Sequence, residues 1–136
     1  MNTRFYPTSF FLLLLVGCGE AASYRLANVE GLVMLDGKPL PQAIVTFQPI
    51  AMPGSESAGP GSAARTDSEG RYVLETVRTD EPGAVVGPHR IIIMPIKFGD
   101  NPAPDLPARY NSETTLTLEV GAEGTQSADF QLTSDP

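Results

Sequence analysis

The sequence predicts an all-β domain, a seven-stranded sandwich of two sheets with Greek-key connections. Three observations predict it. Apolar residues alternate with others instead of recurring at helical spacing. The alternating runs are short and separated by turn residues. Prolines and glycines, thirteen of each, interrupt nearly every window long enough for a helix. Seven short strands over about 100 residues are the pattern of a two-sheet sandwich, and that length suits one domain.

Each element has a local reason. The first strand is Val29 to Leu35, with Val29, Gly31, Val33 and Leu35 on one face. Asp36-Gly37 follows as a hairpin turn, since both residues tolerate the positive φ that such turns demand. The second strand, Gln42 to Gln48, turns Ala43, Val45 and Phe47 to one side. Residues 49–62 carry three prolines and three glycines and form a loop. A third strand near Ala63 to Thr66 enters the turn Asp67-Ser68-Glu69-Gly70. The fourth, Arg71 to Thr76, places Tyr72 and Leu74 inward. Pro88 to Met94 is the fifth, its inner face being His89, Ile91 and Ile93. A long connection, 95–114, holds four prolines within Pro95 to Pro107. Thr115 to Val120 and Ser127 to Leu132 complete the set, with Leu116, Leu118, Val120, Ala128, Phe130 and Leu132 facing the core.

The N-terminus follows a different pattern. Residues 1–9 are polar with one positive charge, Arg4. The run Phe10-Phe11-Leu12-Leu13-Leu14-Leu15-Val16 is apolar but far short of the ~20 residues that span a bilayer. It ends in Leu15-Val16-Gly17-Cys18. These residues resemble the lipobox of bacterial lipoprotein precursors. The resemblance implies removal of residues 1–17 and attachment of a diacylglyceryl group to the Cys18 sulfur. An ordinary secretory leader cut after Ala21 or Ala22 is the alternative. A cut after Ala22 would put the charged Glu20 three residues upstream, where a small residue is needed. The lipoprotein reading divides the chain into a leader (1–17), a lipidated cysteine with its tether (18–27) and a domain (28–134).

Composition narrows the partners. Cys18 is the only cysteine, so no intramolecular disulfide or cysteine-based metal cluster forms. The chain's formal charge is −7, and losing Arg4 with the leader takes it one unit lower. Such a balance disfavours nucleic acid and anionic lipid as partners.

The domain's motifs resemble carboxypeptidase regulatory-like domains. The resemblance rests on Val29-Glu30-Gly31-Leu32-Val33-Met34-Leu35-Asp36-Gly37-Lys38-Pro39-Leu40 with Ala43 to Phe47, and on Thr66-Asp67-Ser68-Glu69-Gly70-Arg71-Tyr72-Val73-Leu74. Gly87-Pro88-His89-Arg90-Ile91-Ile92-Ile93 and the Pro107 to Asn111 segment extend it over residues 29–132. It implies a transthyretin-like (prealbumin-like) sandwich and says little about activity. The zinc site of carboxypeptidases needs His-x-x-Glu, and Ile92 stands where the Glu after His89 belongs. The resemblance therefore implies no catalytic residues, no metal and no cofactor.

Candidate functional residues follow from these limits. Cys18 is the lipidation site and makes the membrane a partner. The connection 95–114 gathers Phe98, Asp100, Asn101, Arg109 and Tyr110, a mixture suited to an envelope protein or a glycan. Loops held by rigid sheets often carry recognition. Tyr110 is the one assigned to anchoring the loop. His89, the only histidine, is read first as a core residue and second as a general base. The expectation is a non-enzymatic, lipid-anchored module of the cell envelope, facing the extracytoplasmic side and serving adhesion, binding or scaffolding. The alternative is carbohydrate or peptide recognition through the 95–114 loop. A hydrolase centred on His89 ranks third.

Overall fold

The computed structural model describes residues 24–55 and 57–136. The expected leader and Cys18 lie outside the described residues. The described chain is all-β: eleven short strands and one 3-10 turn. In order these are β1 (Leu26–Ala27), β2 (Glu30–Leu35), β3 (Lys38–Pro39), β4 (Ala43–Pro49), β5 (Ser62–Arg65) and β6 (Arg71–Val73). They continue as β7 (Glu75–Thr76), β8 (Ala84–Val85), β9 (Gly87–Pro95), the 3-10 turn Ala108–Tyr110, β10 (Thr117–Val120) and β11 (Phe130–Leu132).

One sheet has the order β10-β9-β4-β5-β7, antiparallel throughout. The other is built on β2. It pairs β11 in parallel, β3 through the turn at Asp36-Gly37, and β6 along its first half. β1 and β8 form a two-stranded ribbon. The inner faces meet in one core that includes Val33, Val45, Phe47, Leu74, Ile91, Ile93, Phe130 and Leu132. Phe47 of the first sheet meets Phe130 of the second edge-on, ring centroids 6.3 Å apart. That offset arrangement suits two quadrupolar rings.

The seven strands read from alternation become eleven: β1, β3 and β8 are added, and Arg71 to Thr76 divides into β6 and β7. Arg71 to Thr76 reads as one strand because Tyr72 and Leu74 both point inward, and both are buried, as is Thr76. The chain nevertheless changes sheet at Leu74, with β6 on β2 and β7 on β5. The Leu74 N–H donates to Val29 O, and its carbonyl accepts from Gly83. Inward alternation therefore survives a switch of partners. The second difference lies after the first hairpin. Asp36 (φ 51°) and Gly37 (φ 77°) make the expected turn, but its return strand is only the two-residue β3. Leu40 then plugs the core, and β4 begins in the opposite sheet. β1 also lies upstream of the boundary placed at residue 28. Ala27 is buried, and Leu26 pairs with Val85.

Two glycines are dictated by close approach. A methyl group on Gly31 would stand 2.0 Å from the Ala128 carbonyl oxygen, so β2 and the segment leading into β11 touch there. Gly70 closes the Asp67 turn at φ 76°, and a methyl group on it would stand 2.4 Å from Val33 O. The Asp67 carboxylate accepts the N–H groups of Glu69 (2.8 Å) and Arg71 (3.0 Å), which fixes the turn.

Candidate functional site

The connection after β9 divides into two parts of opposite character. Its tip is a small ring. Ile96 is buried, and Ala103 N–H donates to Ile96 O at 2.9 Å. Lys97 reaches across the base, its Nζ 2.9 Å from Ala103 O and 2.7 Å from the Asp105 carboxylate. Within this ring Phe98 is 76% exposed, the most exposed large apolar side chain described. Asp100 and Asn101 are exposed beside it in sequence. Asn101 shares a polar depression of about 560 Å³ with Pro41, Gln42, Arg65, Thr66, Asp67 and Ser68. The Arg65 guanidinium donates to Gln42 Oε1 there.

The second part, residues 105–114, is fastened to the sandwich. Asn111 Nδ2 and Thr114 Oγ1 donate to Ile93 O (3.5 Å) and Ile91 O (2.7 Å). β10 pairs with β9 only from Gly87 to Arg90, so these side chains cover carbonyls on β9 beyond the ladder. A capped edge does not recruit another strand. Arg109 and Tyr110 reach the residue after β11. Arg109 donates to Thr133 O (3.0 Å) and Oγ1 (2.8 Å), while Thr133 N–H donates to Tyr110 Oη at 3.0 Å. The guanidinium also lies 4.8 Å from the centre of the Tyr110 ring, a cation–π contact. Tyr110 is 8% exposed and belongs to the core. Burial pushes its phenol pKa up, but hydrogen bonds with Thr133 and the Arg109 charge outweigh this and leave it below the usual value.

The five loop residues therefore do not form one site. Phe98, Asp100 and Asn101 face solvent, whereas Arg109 and Tyr110 are engaged with Thr133. Sequence reasoning missed Gln42 and Arg65 beside Asn101. Only their placement across different elements brings them together, although Gln42 has a positive φ of 58° just before β4.

His89 lies within the core at 0% exposure. Its Nδ1 is 3.0 Å from Gly87 O, its ring centroid is 5.5 Å from that of Phe47, and Nε2 has no partner. Burial lowers its pKa below the usual histidine value, against the opposing effect of the Gly87 carbonyl. Burial thus favours the neutral ring, which does not reach the surface. Ser62, the register partner of Phe47 on β5, also has a buried hydroxyl without a partner. Among the described residues, no three His, Cys, Asp or Glu side chains gather to hold a metal ion.

No protein-family model matches this chain, and no curated protein or solved structure shows significant similarity to it.

Proposed function

We propose that this chain is a lipid-anchored module of the cell envelope. A diacylglyceryl group on Cys18 holds it to the membrane, and the β domain faces the extracytoplasmic side for adhesion, binding or scaffolding. The observation that carries the reading is the Leu15-Val16-Gly17-Cys18 box, eight residues before β1 begins at Leu26. Two or more acyl chains give stable attachment where one gives only reversible binding. A Greek-key, transthyretin-like sandwich related to carboxypeptidase regulatory-like domains is part of the same proposal. It is supported by the turns at Asp36-Gly37 and Asp67 to Gly70, which fall where the sequence motifs put them. A non-enzymatic role is supported by the seclusion of His89, the one imidazole, within the core.

Cys18→Ser tests the anchor. The substitution should abolish lipid labelling and leave unprocessed precursor. An unlipidated mature terminus at Ala22 or Ser23, found by mass spectrometry of the wild type, would contradict the reading.

A second reading has its own support. The ring closed by Ile96, Lys97 and Ala103 displays Phe98 at 76% exposure, as a recognition loop for a peptide or a glycan would. Pull-downs from native membranes with Phe98→Ala/Asn101→Ala should then lose a partner that the wild type retains. Identical partner profiles would leave the plain scaffold.

A further inference from the structure

The loop between β4 and β5 forms an apolar foot at the end of the domain where the tether arrives. Ile50 is 43% exposed and Met52 57% exposed. The loop holds them in place through Ile50 N–H on Pro88 O (2.9 Å) and Ser55 N–H on Met52 O (3.0 Å). Tyr24 completes the surface. A methyl group built on Gly59 would stand 2.9 Å from Val85 and 3.4 Å from the Tyr24 ring. Tyr24, Ile50, Met52 and Val85, together with Pro49 and Pro88, line a depression of about 300 Å³. Its charged lining residue is Arg25. Three other depressions each include a carboxylate: Asp105 and Glu113, Asp67, or Asp36. Among the described residues this one has none, in a chain of sixteen acids. The loop's single acid, Glu56, lies outside the described residues.

We propose that this foot rests on the bilayer surface, with Ile50 and Met52 entering the interfacial region and Tyr24 and Arg25 at headgroup level. The proposal rests on lipidation at Cys18. Six Cα steps separate Cys18 from Tyr24, which limits their separation to about 20 Å even when fully extended. The anchor therefore delivers this end of the domain, where Tyr24 shares the depression with Ile50 and Met52. The composition suits lipid. Exposed apolar side chains rimmed by polar groups mark protein or membrane contacts, and tyrosine and arginine favour the membrane interface, where ring and stem lie in an apolar layer and the polar tip stays wet. Among the described residues its lining carries no carboxylate for lipid phosphates to repel. The scaffold or recognition surface then stands on the parts of the domain turned away from the membrane.

Lipidated Cys18 leaves no free thiol, so a cysteine added to the mature protein takes a single fluorophore. The test uses the lipidated protein carrying Met52→Cys or, as control, Phe98→Cys, each labelled with a polarity-sensitive dye and reconstituted into phosphatidylcholine vesicles. Vesicle flotation reads the anchor separately from the dye. Both positions are exposed, so neither substitution disturbs the core; thermal melts confirm it. The expected result is flotation of both variants, with a blue-shifted emission at position 52 that acyl-chain nitroxide lipids quench. Emission at position 98 should stay unshifted and unquenched. Flotation with unquenched, water-like emission at 52 overturns the foot while leaving the anchor standing. A blue shift without nitroxide quenching assigns the surface to a second copy or another protein and also overturns it. Failure of the unlabelled wild type to float removes the anchor and the foot together.

Discussion

Phe98 and Tyr110 lie twelve residues apart in the same proline-rich connection, and their surroundings are opposite. Phe98 projects from a ring closed on itself by Ile96, Lys97 and Ala103. Tyr110 is sunk into the core and tied to Thr133, with Arg109 alongside. Residue type does not separate them, since both are aromatic and both lie near a basic side chain in sequence. What separates them is whether distant chain is within reach. Thr133 is 23 residues away and meets Tyr110 because β11 ends beside the 3-10 turn. The tip is closed by Lys97 and Ala103 within the loop, at separations of six and seven residues, and its tie to distant chain, Ile96 N–H on Gln42 O (2.7 Å), lies at its base. A loop can thus contribute to fold stability at one end and leave the other free for recognition.

The largest expected effect tests the anchored end. Tyr110→Ala removes a buried ring and strands the Thr133 N–H, and should cost about 3–5 kcal/mol in denaturant titrations. A cost under about 1 kcal/mol would show the ring to be only resting on the surface.

A second test extends the contrast to His89, buried like Tyr110 but with one nitrogen unsatisfied. Its folded-state pKa lies below the ordinary 6.5 because burial disfavours the charged ring. The unfolded chain therefore binds the proton more readily. This contribution to stability is full above about pH 6.5 and is lost as the pH falls, by at most about 1.4 kcal/mol per pH unit. Chemical denaturation across that range should show the decline in the wild type and a weaker one in His89→Leu. Equal slopes would mean that other groups govern acid sensitivity.

The smallest effect belongs to the free end. Phe98→Ala with Asn101→Ala should change stability by no more than about 0.5 kcal/mol. A larger loss would join the tip to the fold and remove the contrast.

Much of the β architecture was legible in the sequence because it is local. The alternation of His89, Ile91 and Ile93, and of Ala128, Phe130 and Leu132, marks side chains that are all buried. Asp36-Gly37 and Asp67 to Gly70 announce their turns through residues that suit positive φ or accept backbone N–H groups. The rest depends on contacts between distant segments. β1 and β8 are two residues each, too short to show a period, and exist only because Leu26 meets Val85. The parallel pairing of β11 with β2 joins Phe130 to Val33 across most of the chain, and no turn announces it. The same reason divides the candidate site. Composition drew Phe98, Asn101, Arg109 and Tyr110 together, but Thr133 and Arg65, which decide their surroundings, lie outside the loop.

Amide hydrogen exchange on the wild-type protein tests this division most directly. The account predicts slow exchange at Thr133, Tyr110 and Asn111, whose N–H groups have acceptors, and fast exchange from Phe98 to Asn101. In Tyr110→Ala, protection at Thr133 should collapse while Ala103, which closes the tip, keeps its own. Equal protection across residues 98–111 in the wild type, or loss of Ala103 protection together with Thr133, would contradict it.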